Sequence, residues 1–285
     1  MVRTLGGGLP LRREAAAACF PGDRGGRTEG GPPVPGIPGG GGGGSGPVRR
    51  SAAGPTRREL LWLLERIGRE VPEARSLHRR LQARRRAPLL WVLVHTVLSH
   101  QSTGDRTYRA GRRVYARYRS LDRLAGARVP ELEPLIREVG LGRLKAARLV
   151  ALARAVRARW GGLRRFSAVL RSGPLEDAWR ALLDLPGIGP KSAAVVLLFR
   201  YGRPKFPVDT NILRVAQHLG WVRGRDPELV RSHVERALGP DPEALLRAHA
   251  YLLALGRATQ RGRRRDLWEK PTGGRLKPRP RPSSI

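Results

Sequence analysis

The sequence predicts an all-α protein. Apolar residues recur at helical spacing in one segment after another. Several of those segments open on a helix-capping residue, often followed by a first-turn proline. No segment shows the two-residue alternation of a half-buried strand, and no internal repeat is present.

Taken in order, residues 1–55 come before the pattern. They are rich in Gly, Pro and Arg, with an unbroken Gly39–Gly44. Such a stretch buries too little to offset its ordering entropy, so a disordered arm is expected. Thr56 and Glu59 then form a capping box, with Leu60, Leu61, Leu64 and Ile67 on one face. Pro88 opens Leu89–Leu98, an uncharged run expected to be a buried central helix. Residues 99–103 read as a polar loop, and Thr103 is expected to cap an Arg-rich helix reaching about Tyr118. A short helix near Pro130–Val139 stops at Gly140, and 141–143 form a brief loop. Leu149, Leu152 and Val156 mark a helix from Leu144 to Trp160. Leu175, Ala178, Trp179 and Leu182 mark another, which runs into the turn Pro186-Gly187-Ile188-Gly189-Pro190. Beyond it, Ile212, Val215, Ala216 and Leu219 repeat helically up to Gly220. Asp226-Pro227-Glu228 and Asp241-Pro242-Glu243 each start a helix with a cap, a first-turn proline and an acid. From Gln260 the chain is basic and broken by Gly and Pro.

The 285 residues carry a net charge of +33. Residues 1–56 hold seven basic and three acidic residues, which leaves 49 basic and 20 acidic, a net +29, on 57–285. A folded region this basic expects a polyanion, nucleic acid first and anionic membrane second. No apolar stretch has spanning length, which argues against an integral membrane protein. The single cysteine, Cys19, allows no internal disulfide. With no apolar secretory core at the start, a cytoplasmic protein is expected, nucleoid-associated if prokaryotic. The six histidines show no metal-ligand spacing, so no metal is expected and each reads as structural. The tryptophans read mostly as core.

The turn at 186–190 draws attention to its neighbours. Gly187 and Gly189 are expected to take positive φ and to let the backbone come close to another molecule. Unpaired N–H groups at the start of the next helix suit a phosphate. Packing alone would also explain two glycines in a helical hairpin. Lys191 adds an argument from composition. Only five of the 56 basic residues are lysine, so a lysine at this turn stands out. An amine can lose its proton and attack a sugar carbon, whereas a guanidinium stays charged. Phosphate binding by Lys191 is the alternative.

The runs Leu-Pro-Gly-Ile-Gly-Pro-Lys-Ser-Ala and Val-Asp-Thr-Asn-Ile-Leu-Arg-Val resemble the endonuclease III branch of the helix–hairpin–helix DNA glycosylases, over roughly residues 57–258. The resemblance implies two helical lobes flanking a DNA-binding cleft. Residues 80–203 would form the central domain with the hairpin. The helix in 56–79 would pack with a second domain, 204–258, and 259–285 would be a basic tail. Pro186, Gly187, Ile188 and Gly189 would be the DNA-binding hairpin, Lys191 the nucleophile and Asp209 the essential aspartate. Asp209 also reads as an ordinary N-cap. Gln101 matches the family's gap-filling residue and Leu141 its wedge, although Leu141 is explained equally by packing at a helix start. His100 would line the lesion pocket.

The implied activity is that of a monomeric, bifunctional glycosylase and lyase acting on duplex DNA with damaged bases or abasic sites, oxidised pyrimidines first. A glycosylase for alkylated or mismatched bases and a non-catalytic DNA-binding protein are the alternatives. One departure is plain. Family members usually hold a four-iron cluster on four cysteines just after a segment like 249–257, and residues 258–268 contain none. No iron–sulfur cofactor is therefore expected. Leu267 and Trp268 are expected to close the second domain in its place.

Overall fold

The structure, a computed structural model, describes residues 54–260. Most of the expected arm, Cys19, and the tail with Leu267 and Trp268 lie outside the described residues. Among the described residues every regular element is helical, as the sequence predicts.

Helix α1 (Arg57–Glu70) opens on the expected capping box. Glu59 N–H donates to Thr56 Oγ1 at 3.2 Å, and Thr56 N–H donates to Glu59 Oε2 at 2.9 Å. α2 (Glu73–Ala83) follows. α3 (Leu89–Leu98) starts after Pro88 and is buried along its whole length. α4 (Gly104–Tyr118) begins after Thr103, but the Thr103 hydroxyl makes no capping bond. The Thr103 carbonyl, in contrast, accepts from Thr107 Oγ1 at 2.8 Å. α5 (Leu121–Ala125) and α6 (Val129–Ile136) lead through a 3-10 turn to Gly140, whose φ is 70°. α7 (Gly142–Trp160) and α8 (Leu163–Ser172) come next. α9 (Leu175–Leu183) and α10 (Pro190–Val195) form the hairpin. α11 (Thr210–His218), α12 (Pro227–Leu238) and α13 (Pro242–Ala258) complete the order. Asp226 and Asp241 cap the last two as expected, Asp226 accepting from Leu229 N–H and Asp241 from Glu243 N–H and Ala244 N–H.

These helices enclose two apolar cores. The first gathers α3 to α9, with Leu93, Leu132, Leu149 and Phe166 fully buried. The second gathers α1, α2, α11, α12 and α13 around Leu60, Phe206, Ile212 and Leu246. α10 belongs to both. Ala193 and Ala194 face the first core, Val195 the second. Past its first turn, which carries Lys191, α10 is apolar all round, as suits a wall shared by two cores. The chain leaves α10 through a π-helical turn, Val196–Arg200, which directs Val196 and Leu197 to the first core and Leu198 and Phe199 to the second. A wider turn shifts the phase of the helical face, as a change of core along one helix requires. The first turn of α10, which carries Lys191, therefore emerges where the two cores meet.

Candidate active site

A cleft of about 670 Å³ opens along this junction. Lys191, Asp209, His100 and Gln101 all line it, together with Trp91, His95, Arg84, His249 and Arg257. The structure thus brings four of the sequence-predicted residues to one place. Leu141 and the hairpin turn are not among the cleft's lining residues.

The hairpin is a tight turn between α9 and α10. Ile188 N–H donates to Leu185 O at 3.1 Å, and Ala193 N–H to Gly189 O at 2.9 Å. Among the described residues the N–H groups of Gly187 and Gly189 have no intramolecular acceptor. Gly187 has φ +82°, as expected. Gly189 does not: its φ is −101° and its ψ −179°, an extended conformation open to any residue. A Cβ on Gly189 would meet nothing within 4 Å, so only its open side, facing out of the fold, remains distinctive.

Lys191 is open to solvent on one side, with protein crowding it on the others. That crowding is the main cause pushing its amine below the usual lysine range. Asp209 opposes the shift by stabilising the ammonium, and Arg84 and Arg257 reinforce it. The solvent contact limits how far the shift goes. The sequence foresees burial, arginines and an opposing Asp209; the structure says which arginines. Neither is distinguishable by spacing in a chain of 51 arginines.

Asp209 is half-buried at the start of α11. Its Oδ1 accepts from Asn211 N–H and Ile212 N–H, both at 2.9 Å. The capping reading is thus present in the geometry. It occupies chiefly one oxygen; Oδ2 has only a 3.4 Å contact with Asn211 Nδ2. One carboxylate can therefore cap and still present an oxygen to the cleft.

His249 was expected to be a structural histidine. It is buried, 3% exposed, yet it also lines the cleft and feels the charges of both Asp209 and Lys191. Burial first, then Lys191 and Arg84, hold its pKa down to about 4 against the raising pull of Asp209 and of the Pro207 carbonyl. His95 is likewise held well below its ordinary value, by burial first and then by Arg84 and Lys191. Trp91, expected in the core, is buried and also forms part of the cleft wall.

His100 Nε2 lies 2.9 Å from Ser192 Oγ, which fastens the 99–103 loop to the turn bearing Lys191. Burial, then Lys191, Lys145 and Arg148, lower its pKa, so the ring is neutral near pH 7. Gln101 and Leu141 are both exposed, Leu141 at 55%. Both have φ +51°, and among the described residues Arg119 is the only other non-glycine with positive φ. Such a conformation is uncommon for a residue with a Cβ. Leu141 is thus not buried by packing at the start of α7.

Residues 258–268, where the family resemblance would place the four cluster cysteines, contain no cysteine. α13 ends at Ala258, and Thr259 closes it by donating through Oγ1 to Leu255 O at 2.8 Å. No cysteine follows Cys19, and no group of three or more His, Cys, Asp or Glu is gathered among the described residues. No described helix is long and apolar enough to cross a membrane.

The fold and its cleft define a helix–hairpin–helix protein. Residues 94–247, more than half of the chain, match the HhH-GPD superfamily base excision DNA repair protein family, and the chain belongs to that family. It is 34% identical over 150 residues to an endonuclease III of Thermotoga maritima, a match covering 53% of this chain and 65% of that protein. It is 29% identical over 175 residues to an endonuclease III of Rickettsia conorii, covering 61% and 77% of the two chains. The solved structure of a trapped endonuclease III–DNA covalent intermediate superposes with a TM-score of 0.58 at 24% identity, covering 71% of this chain and 86% of that one. At that identity the likeness is one of fold.

Proposed function

We propose that the chain is a bifunctional DNA glycosylase and abasic-site lyase acting on duplex DNA. The observation that carries the reading is the placement of Lys191 and Asp209 on the same cleft, in electrostatic contact, in a chain of this family. The hairpin N–H groups would hold a phosphate of the DNA backbone. A nucleotide rotated out of the duplex would enter the cleft.

In the proposed reaction the neutral Lys191 amine attacks C1′, and the bond from C1′ to the base breaks. Asp209 stabilises the positive charge that builds on the sugar and helps move protons. The base leaves with a proton. The C1′–N bond becomes a Schiff base as the sugar ring opens, and loss of a C2′ proton expels the 3′ phosphate. The lowered amine pKa serves the first step, because only the unprotonated form attacks. Oxidised pyrimidines are the proposed substrates, from the likeness to endonuclease III proteins.

Borohydride reduction tests the reading. The wild-type protein should form a covalent adduct with an abasic duplex, and Lys191→Ala should not. Equal adduct from both proteins would remove Lys191 from its role. A panel of lesion-bearing duplexes would then rank oxidised, alkylated and mismatched bases.

A further inference from the structure

Lys145 stands in the first turn of α7 and is 1% exposed. Its Nζ donates to three backbone carbonyls: His100 O at 2.6 Å, Val139 O at 2.8 Å and Leu98 O at 3.2 Å. An ammonium has three N–H bonds, so all of them are used. Leu98 ends α3, and Val139 ends the turn that follows α6. Carbonyls at helix ends lack intrahelical partners and carry partial negative charge, so they can hold a buried cation without a carboxylate. A compact ammonium suits three carbonyls converging on one point, and the planar fork of arginine does not. That accounts for a lysine here in a chain that writes positive charge mostly as arginine.

The loops it joins are the two that carry Gln101 and Leu141. His100 directly precedes Gln101, and Val139 lies two residues before Leu141. Both of those exposed residues have φ +51°, a conformation that persists where the surroundings impose it. On the glycosylase reading, Gln101 and Leu141 would enter a duplex from opposite strands, and residues so used must keep a fixed separation. We infer that Lys145 is a positioning residue: its buried ammonium locks the 99–103 and 139–141 loops together, so that Gln101 and Leu141 meet the two DNA strands as one rigid unit. This rests on the glycosylase reading above. Lys145 itself touches no substrate.

The test compares borohydride trapping on one abasic site placed in a duplex and in a single strand, where no base pairs need parting. Lys145→Met keeps the side-chain length and removes the three donors. The duplex rate should fall on the order of 10²-fold, as misplacement of a positioning group costs, with the single-strand rate within about twofold of wild type. Adding Leu141→Ala to Lys145→Met should cost little more, since the wedge is already displaced. Equal losses on both substrates, or no loss on either, overturn the inference. Wild-type protein that traps neither substrate overturns the glycosylase reading instead, which keeps the two failures apart. If circular dichroism shows Lys145→Met unfolded, Lys145→Arg is judged by the same ratio. A chain that folds with neither substitution makes Lys145 a stability element, and the inference falls.

Discussion

The Nδ1 of His249 lies 2.9 Å from the carbonyl oxygen of Pro207. A carbonyl only accepts, so Nδ1 carries the proton and Nε2 is bare in the neutral ring. The bond ties α13 to the segment that delivers Asp209 two residues later. Phe199 and Phe206 meet the ring edge-on, at centroid distances of 5.0 and 6.0 Å. An apolar enclosure between Lys191 and Arg84 leaves little room for a second proton.

Acid stability should show this. His249 has a folded pKa of about 4 against the ordinary 6.5. Between those values the unfolded chain binds a proton that the folded chain refuses, so stability falls as the pH drops through the window and is unaffected above it. The expected contribution across the window is on the order of 3 kcal/mol. Urea midpoints at pH 7 and pH 4.5 check it. His249→Gln should begin less stable at pH 7 and lose less on acidification. Parallel losses in both proteins would place the acid sensitivity elsewhere.

Asp209→Asn separates capping from catalysis. Asparagine caps as well as aspartate, so melting temperature and duplex affinity should barely change. Base excision should drop by ~10²–10⁴-fold, the scale of acid–base groups. Trapping on a preformed abasic site should survive, with its acid limb moved to lower pH. The sign follows from Asp209 raising the Lys191 pKa: without the carboxylate, more of the amine is neutral at a given pH. A limb that stays in place or moves up contradicts the proposed contact.

Much of this arrangement could be read from the chain alone. Capping boxes, Asp-Pro starts and 3.6-residue periodicity are local signals, and they placed α1, α3, α12 and α13 correctly. α2, α5 and α8 are not predicted from the sequence, although in α2 Ala74, Leu77 and Leu81 sit at helical spacing; a few apolar residues are easily lost among arginines. The Lys191–Asp209 pair was legible because the two lie on adjacent motifs. Lys145 and His249 were not, because their partners are distant: the acceptors of Lys145 include one 47 residues away, and the acceptor of His249 lies 42 away. A faint signal existed for Lys145. All three described lysines sit where a compact amine serves, Lys205 being buried with Glu176 Oε1 at 2.7 Å and its ammonium 5.1 Å from the Trp179 ring centre.

Salt titration addresses the charge. If the +29 on residues 57–285 is a DNA footprint, log K for undamaged duplex should fall linearly with log salt, with a slope of about −0.9 per phosphate contacted. Anisotropy with a labelled duplex between about 50 and 200 mM salt measures it. A flat response would make the charge mere surface solvation.

Gly256 offers a way to disturb Asp209 without touching it. α13 passes so close to the start of α11 that a Cβ on Gly256 would stand 2.8 Å from the Asn211 carbonyl oxygen and 2.9 Å from its Cβ. Backbone cannot swing aside as a long side chain can. Gly256→Ala must therefore push the first turn of α11 away from α13. Asn211 N–H is one of the two donors to Asp209 Oδ1, so the carboxylate moves with it. In a helix interior alanine is otherwise favoured over glycine by roughly 1 kcal/mol, which gives the prediction its force. Propensity alone says that the variant is stabilised; close packing says that it loses about 1–3 kcal/mol. We expect the loss, and with it reduced excision at unchanged single-strand trapping only if Lys191 keeps its place on α10. Urea unfolding decides between the two signs, and a variant more stable than its parent would mean that α13 and α11 are less tightly apposed than the 2.8 Å approach requires.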